Sequence, residues 1–211
     1  MLRLLVIFLT AFPLTGQRAA DLTPHNVEIS DTTYRGKSAV RLLAKPGVAN
    51  GESYAVLNSI VFENGSLEVD LSGQPGPAAS ATARGFVGLA FRLVDGGYEY
   101  VYLRPTNGRA DDQVRRNHST QYGAHPGYDF DRLRKESPEK YESYVDLEPG
   151  VWTRVRIEVA GSKARLYVHG ASQPCLLVND LKFPVRPGAV AFWVGPGTEA
   201  HFTNLQIKTG N

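Results

Sequence analysis

The segment GFVGLAFRLVDGGYEYVYLR, residues 85–104, restricts the fold more than any other part of the chain. Val87, Leu89 and Phe91 alternate with Gly88, Ala90 and Arg92; beyond Asp95-Gly96-Gly97, Val101 and Leu103 alternate with Tyr98, Tyr100, Tyr102 and Arg104. A period of two sends successive side chains to opposite faces of a strand, and a glycine-rich turn joins two such runs as an antiparallel hairpin. IEVAGSKARLYV, turning at Gly161-Ser162, reads the same way: Val155, Ile157, Val159, Leu166 and Val168 oppose Arg154, Arg156, Glu158, Arg165, Tyr167 and His169. A face that is dry on one side only must be covered by a second layer.

Similar short runs at 27–30, 39–43, 54–57, 65–71, 86–93, 98–103, 152–159, 164–168, 189–194 and 201–207 are separated by Gly, Pro, Asn and Asp clusters. The pattern predicts an all-β, two-sheet antiparallel sandwich of the jelly-roll type. Val87, Leu89, Phe91, Val101, Leu103, Val155, Ile157, Leu166, Val168 and Leu205 are its expected core. Both hairpins are read into one sheet, with a dry inner face and an outer face of Tyr, Arg, His and small residues.

MLRLLVIFLTAFPLTGQRAAD opens with Arg3, an apolar run and then small and polar residues, the layout of a signal peptide. Residues 1–20 are assigned to it, with Gln17 as an alternative boundary, and 21–211 to a single domain. The run is too short to span a bilayer comfortably, so no membrane span and a secreted or periplasmic location are expected. Removing 1–20 takes away Arg3 and Arg18 and leaves 21 basic and 21 acidic side chains. A neutral chain without a basic stripe does not suit nucleic acid. The single Cys175 excludes an internal disulfide, and a monomer is expected.

Between Leu103 and Trp152 the sequence carries no strand pattern, and 105–148 is read as a long insertion over one sheet face, with a short helical turn near 128–135. Its aromatics Tyr122, Tyr128, Phe130, Tyr141 and Tyr144 argue for order. Asn117, Gln121, Tyr122 and His125 form its densest group of neutral hydrogen-bonding side chains, and Arg104 and Asn107 lead into it. Gly88 and Ala90 are read as a bare trough beside Tyr98, Tyr100 and Tyr102. Aromatic faces stack on the C–H faces of pyranose rings, while Arg, Asn, Gln and His pair with hydroxyls. The expected binding residues are therefore Arg92, Tyr98, Tyr100, Tyr102, Arg104, Asn107, Asn117, Gln121, Tyr122 and His125, and the expected partner is a glycan or small saccharide.

GFVGLAFRLVDGGYEYVYLRPTN, VWTRVRIEVAGSKARLYVHG and GAVAFWVGPGTEAHFTNLQIK resemble the concanavalin A-like lectin/glucanase superfamily, nearest its secreted bacterial laminin-G-like and 3-keto-disaccharide hydrolase-type branches. The most specific piece is the closing Gly197 to Ile207 pattern. The resemblance implies a sandwich that handles sugars. Laminarinase-type members carry E-x-D-x-x-E; here only Glu68-x-Asp70 stands. Against the 3-keto-disaccharide hydrolase pattern, Arg92 and Glu99 match, and Val101 replaces the glutamine.

Candidate catalytic groups are Glu99, His125 and Asp129, since glycoside hydrolysis uses paired carboxylates. His118 and His125 lack a third histidine or a thiolate, so no transition-metal site and no cofactor are expected. A structural calcium stays open, because laminin-G-like domains hold one through carbonyls and carboxylates. Three readings follow: a carbohydrate-binding protein, a glycoside or 3-keto-glycoside hydrolase or lyase using the same pocket, and an interaction module with no small-molecule site.

Overall fold

A computed structural model describes residues 16–77 and 79–210. Its strands are β1 (Leu22–His25), β2 (Val27–Tyr34), β3 (Lys37–Ala44), β4 (Tyr54–Leu57), β5 (Gly65–Pro75), β6 (Val87–Val94), β7 (Gly97–Leu103), β8 (Thr120–His125), β9 (Glu142–Ser143), β10 (Thr153–Ala160), β11 (Lys163–Val168), β12 (Leu176–Val178), β13 (Ala189–Val194) and β14 (Thr198–Thr209). Two short helices, α1 (Gln113–Asn117) and α2 (Phe130–Glu136), lie between β7 and β9. The strands form two seven-stranded antiparallel sheets, ordered β1-β4-β13-β6-β7-β8-β9 and β12-β11-β10-β5-β14-β3-β2. Every expected core residue, from Val87 to Leu205, is buried in one cluster fed by both sheets. Each such side chain stabilises the fold by roughly 1.5–3 kcal/mol.

The two hairpins that the alternation identifies lie in opposite sheets, correcting the expectation of one shared outer face. Period-two patterning reports which side is dry but not which sheet a strand joins. Arg154 and Arg156 therefore decorate the second sheet, where Arg154 pairs with Glu68 and Arg156 with Glu158. Asp70, on the same sheet, is paired with Lys37 and Asn204.

The insertion 105–148 is not a loop laid over the sheet. It contributes β8, paired along its whole length with β7, and β9 beyond it, so it widens the first sheet. Tyr122 and Ala124 of β8 enter the core, while Gln121, Gly123 and His125 stand opposite Tyr102, Tyr100 and Tyr98. The alternation exists, but Gln, Gly and His at the outward positions hide it. The helical turn expected near 128–135 is α2, whose N-cap Asp129 accepts a hydrogen bond from the Arg132 amide.

Residues 1–15, which hold most of the expected signal segment, lie outside the described residues. Gln17, the alternative boundary, is buried and makes a two-way hydrogen bond with the Leu205 backbone in β14. No helix among the described residues is long and apolar enough to cross a membrane. Cys175 is half-buried before β12, and burial pushes its thiol up to about 11.

Gly88 and Ala90 do not leave an open trough. A Cβ on Gly88 would sit 2.1 Å from the Val101 carbonyl oxygen and 2.6 Å from the Tyr102 Cα, and one on Gly123 would sit 2.6 Å from the Tyr100 ring. The small residues admit a close approach of backbone and the overlying rings. Gly88→Ala should accordingly lower unfolding stability by roughly 1–3 kcal/mol, the range for overpacking a dense site. Urea denaturation that gives a wild-type midpoint for this variant would contradict the packing described.

Candidate aromatic and arginine site on the first sheet

The outer face of the first sheet carries a second buried cluster: Tyr54, Ala90, Tyr98, Tyr100, Tyr102, Ala191 and Trp193. β7 supplies the three tyrosines at alternate positions. β6 lies between β7 and β13 and offers only Gly88 and Ala90 on this side, so Trp193 of β13 reaches both Tyr100 and Tyr102, with ring centroids 4.9 Å apart in each case. At one end, Tyr54 and His125 pack on Tyr98 at 5.5 and 5.3 Å. The Trp193 indole donates to the Tyr98 hydroxyl at 3.1 Å, and that hydroxyl donates to the Gly51 carbonyl. Burial lowers the pKa of His125 against the opposing pull of Glu52 and Asp129, so at neutral pH the ring is an uncharged hydrogen-bonding group.

The other end of the row is Arg104. Its guanidinium, 3% exposed, donates to the His118 carbonyl and Glu142 at 3.0 and 3.1 Å, and to the Tyr102 hydroxyl and Gln121 Oε1 at 3.0 Å each. It stands 5.3 Å from the Phe86 ring and 5.1 Å from the Phe130 ring. Arg134 of α2 binds the same Glu142 through both carboxylate oxygens. Burial alone would raise the Glu142 pKa; the Arg134 hydrogen bonds and the charges of Arg104 and Arg134 outweigh it and hold the carboxyl below its ordinary 4.5.

Outward of Arg104 opens a cleft of about 480 Å³, flanked by the half-buried rings of Phe86 and Phe130 and by Arg84, Arg115 and Arg134. Asn107 lines it too, accepting from Arg115 Nε and donating to the His118 carbonyl. A smaller cavity of about 210 Å³ adjoins at His118 and includes Asn117 and Tyr144.

Of the residues expected to bind, Tyr98, Tyr100, Tyr102, Arg104, Gln121 and His125 come together on this face, and Asn107 and Asn117 line the two cavities. Arg92 and Tyr122 do not join them. The β6–β7 register slips after Phe91, and Arg92 takes a positive φ of 55°, turning its guanidinium to the Glu63 carbonyl, Asn64 and the Gly161 carbonyl. An inserted residue reverses the alternation that had placed it beside Gly88. Tyr122 points into the core and donates to Glu99. Glu99 lies on that inner side too, accepting from the Phe183 amide, with its pKa raised by burial. It is thus removed from the pocket for which it was a catalytic candidate. Asp129 remains near His125 and Tyr100 but serves as the α2 cap.

Trp193, Phe86, Arg84, Arg115, Arg134 and Glu142 lie outside the expected binding set. Arg84 lies near the end of SGQPGPAASATARG, residues 72–85, a small-residue stretch with no visible chemistry in sequence, whose first four residues belong to β5. Glu142 sits among loop acids that all look alike until β9 brings it under Arg104. Among the described residues no three His, Cys, Asp or Glu side chains converge as metal ligands.

The architecture is similar to that of several solved structures. The fold is the concanavalin A-like jelly roll. The carbohydrate-binding module CBM66 from Bacillus subtilis superposes with a TM-score of 0.60 at 13% identity, covering 89% of this chain and 96% of that one. A Bacillus subtilis protein with a galectin-like fold gives 0.56 at 12% identity, over 95% and 98% of the two chains. The β-glucanase of Bacillus licheniformis gives 0.51 at 14% identity, over 95% and 98%. No family profile and no curated protein sequence matches the chain. At these identities the jelly-roll likeness establishes architecture and not activity.

Because the folded state lowers the Glu142 pKa, the stabilisation from its ion pairs is complete above about pH 4.5 and is lost as pH falls through the lower folded value. Glu142→Gln should cost on the order of 3 kcal/mol at pH 7 by stranding Arg104, and should flatten the acid limb of a stability-against-pH curve. Equal stability of the two proteins at pH 7, or an unchanged acid limb, would remove Glu142 from this role.

Proposed function

We propose that this protein binds a saccharide at the Arg104 end of the aromatic row, in the cleft between Phe86 and Phe130. The carrying observation is the cleft itself: two half-buried aromatic rings flank it, guanidinium and amide groups surround them, and the opening is large enough for a sugar unit. Apolar rings for C–H faces and planar donors for hydroxyls are the two halves of sugar recognition. Tyr98, Tyr100, Tyr102 and Trp193 support the site from beneath: at 0–1% exposure they are packed residues rather than a stacking platform. The jelly-roll likeness to a carbohydrate-binding module and a β-glucanase is compatible with this reading. The protein acts as a secreted or periplasmic monomer in this account.

Binding is favoured over hydrolysis by the state of the carboxylates. Hydrolysis of a glycosidic bond by the usual route needs two, one held protonated as the acid. Glu99 has the raised pKa suited to an acid but faces the core, and Glu142 is held ionised by two arginines.

Phe130→Ala should weaken binding of the preferred saccharide about tenfold, equivalent to losing one aromatic contact, as measured by calorimetry. Tyr100→Ala should instead act on stability, costing roughly 3–5 kcal/mol as a large buried ring is removed. An unchanged affinity for Phe130→Ala, or no affinity of the wild type for any member of a broad panel of neutral and acidic glycans, would overturn the proposal.

A further inference from the structure

Four guanidiniums, those of Arg84, Arg104, Arg115 and Arg134, line the one cleft. Two of them, Arg104 and Arg134, share Glu142. The other two have no carboxylate partner among the described residues. Arg115 is positioned by neutral acceptors alone, donating to Asn107 Oδ1 and to the carbonyl and hydroxyl of Thr106 at 3.0–3.1 Å. Arg84 makes no side-chain hydrogen bond or ion pair among the described residues, although it is half-buried. The one acid among the described residues of the lining, Asp112, is occupied as the α1 cap, accepting from the Arg115 amide at 2.6 Å. His118, also in the lining, is pushed toward its neutral form by burial and then by Arg134 and Arg104, against the pull of Glu142.

The surplus positive charge is costly to the folded protein. Burial first, and then the charge of Arg115, lower the Arg84 pKa, consistent with two like charges lining the same cleft. An anion entering between them would relieve that repulsion, and guanidinium forks match the oxygens of a carboxylate or a sulfate. The expense is local, since the chain from residue 21 onward is balanced in charge.

Resting on the saccharide reading above, we infer that the ligand is an acidic saccharide whose anionic group, a carboxylate or a sulfate ester, sits between Arg84 and Arg115 while its ring lies between Phe86 and Phe130. The four guanidiniums are gathered in one open cleft, without the extended basic track that a nucleic-acid backbone requires.

The test is calorimetry of the wild-type protein with three oligosaccharide probes: a polyuronate fragment, the same fragment after carboxyl reduction, and a sulfated galactan fragment. At least one acidic probe should bind, and more tightly than the carboxyl-reduced fragment by about tenfold or more, the equivalent of one charge-assisted hydrogen bond. That preference should shrink as salt is raised. Preference for the uronate assigns a carboxylate site; preference for the sulfated fragment assigns a sulfate site. Arg84→Gln, which removes no bond to another described residue, should bring the affinity for the acidic probe down toward that of the neutral one at a melting temperature no lower than that of the wild type. Equal binding of acidic and neutral fragments, or wild-type discrimination in Arg84→Gln, would overturn the inference while leaving saccharide binding intact. Binding of a short oligonucleotide as tight as that of the best sugar would also overturn it, making the cleft a general polyanion site. No binding of any saccharide would overturn both this inference and the function it rests on.

Discussion

The site depends on keeping one guanidinium, that of Arg104, charged and almost wholly out of water. Such a group is costly to bury unless its donors are satisfied and its charge is met. Here the partners come from the parts of the chain that must be assembled around it: Tyr102 on its own strand, Gln121 on β8, the His118 carbonyl after α1, and Glu142 on β9. A single side chain just beyond β7 thereby ties together the parts of the insertion that the β7–β8 ladder holds to the sheet. Glu142 extends the link to α2 through Arg134. Phe86 and Phe130 stand 5.3 and 5.1 Å from the same guanidinium, and both line the cleft that opens outward of it.

Beneath this sits a size complementarity. Trp193, Tyr100 and Tyr102 can stack across three strands only because β6 carries Gly88 and Ala90 and β8 carries Gly123 at the facing positions. Larger residues there would drive the rings apart and loosen the Tyr102 hydroxyl from Arg104. The aromatic row is thus a second small core on the outside of a sheet, and it gives the arginine a rigid floor. A site built on strands in this way holds its geometry better than one built on loops alone.

Much of the sandwich was legible because the inner face obeys a strict period of two. Val87, Leu89, Phe91, Val101 and Leu103 could face only a core, and they do. The same alternation correctly set Tyr98, Tyr100 and Tyr102 on the opposite side. It failed where local geometry departs from a regular strand. The slip after Phe91 reverses Arg92, and no residue in LAFRLV announces it. In TQYGAH the inward residues are Tyr122 and Ala124 and the outward ones Gln121, Gly123 and His125, a set too mixed in polarity for β8 to be recognised. The sequence suggests a sugar-stacking face of tyrosines because Trp193, distant in sequence, gives no local sign that it will cover them. Arg84 lies in the loop before β6 and Arg115 in α1, and only the closed fold brings them to one cleft.

The most direct measurement is a crystal structure of the protein grown with an acidic oligosaccharide that it binds in solution. The account predicts a sugar ring between Phe86 and Phe130, its anionic group against Arg84 and Arg115, and Arg104 still bonded to Glu142 and Tyr102. Density for the sugar on the second sheet, or elsewhere with this cleft left empty, would contradict it.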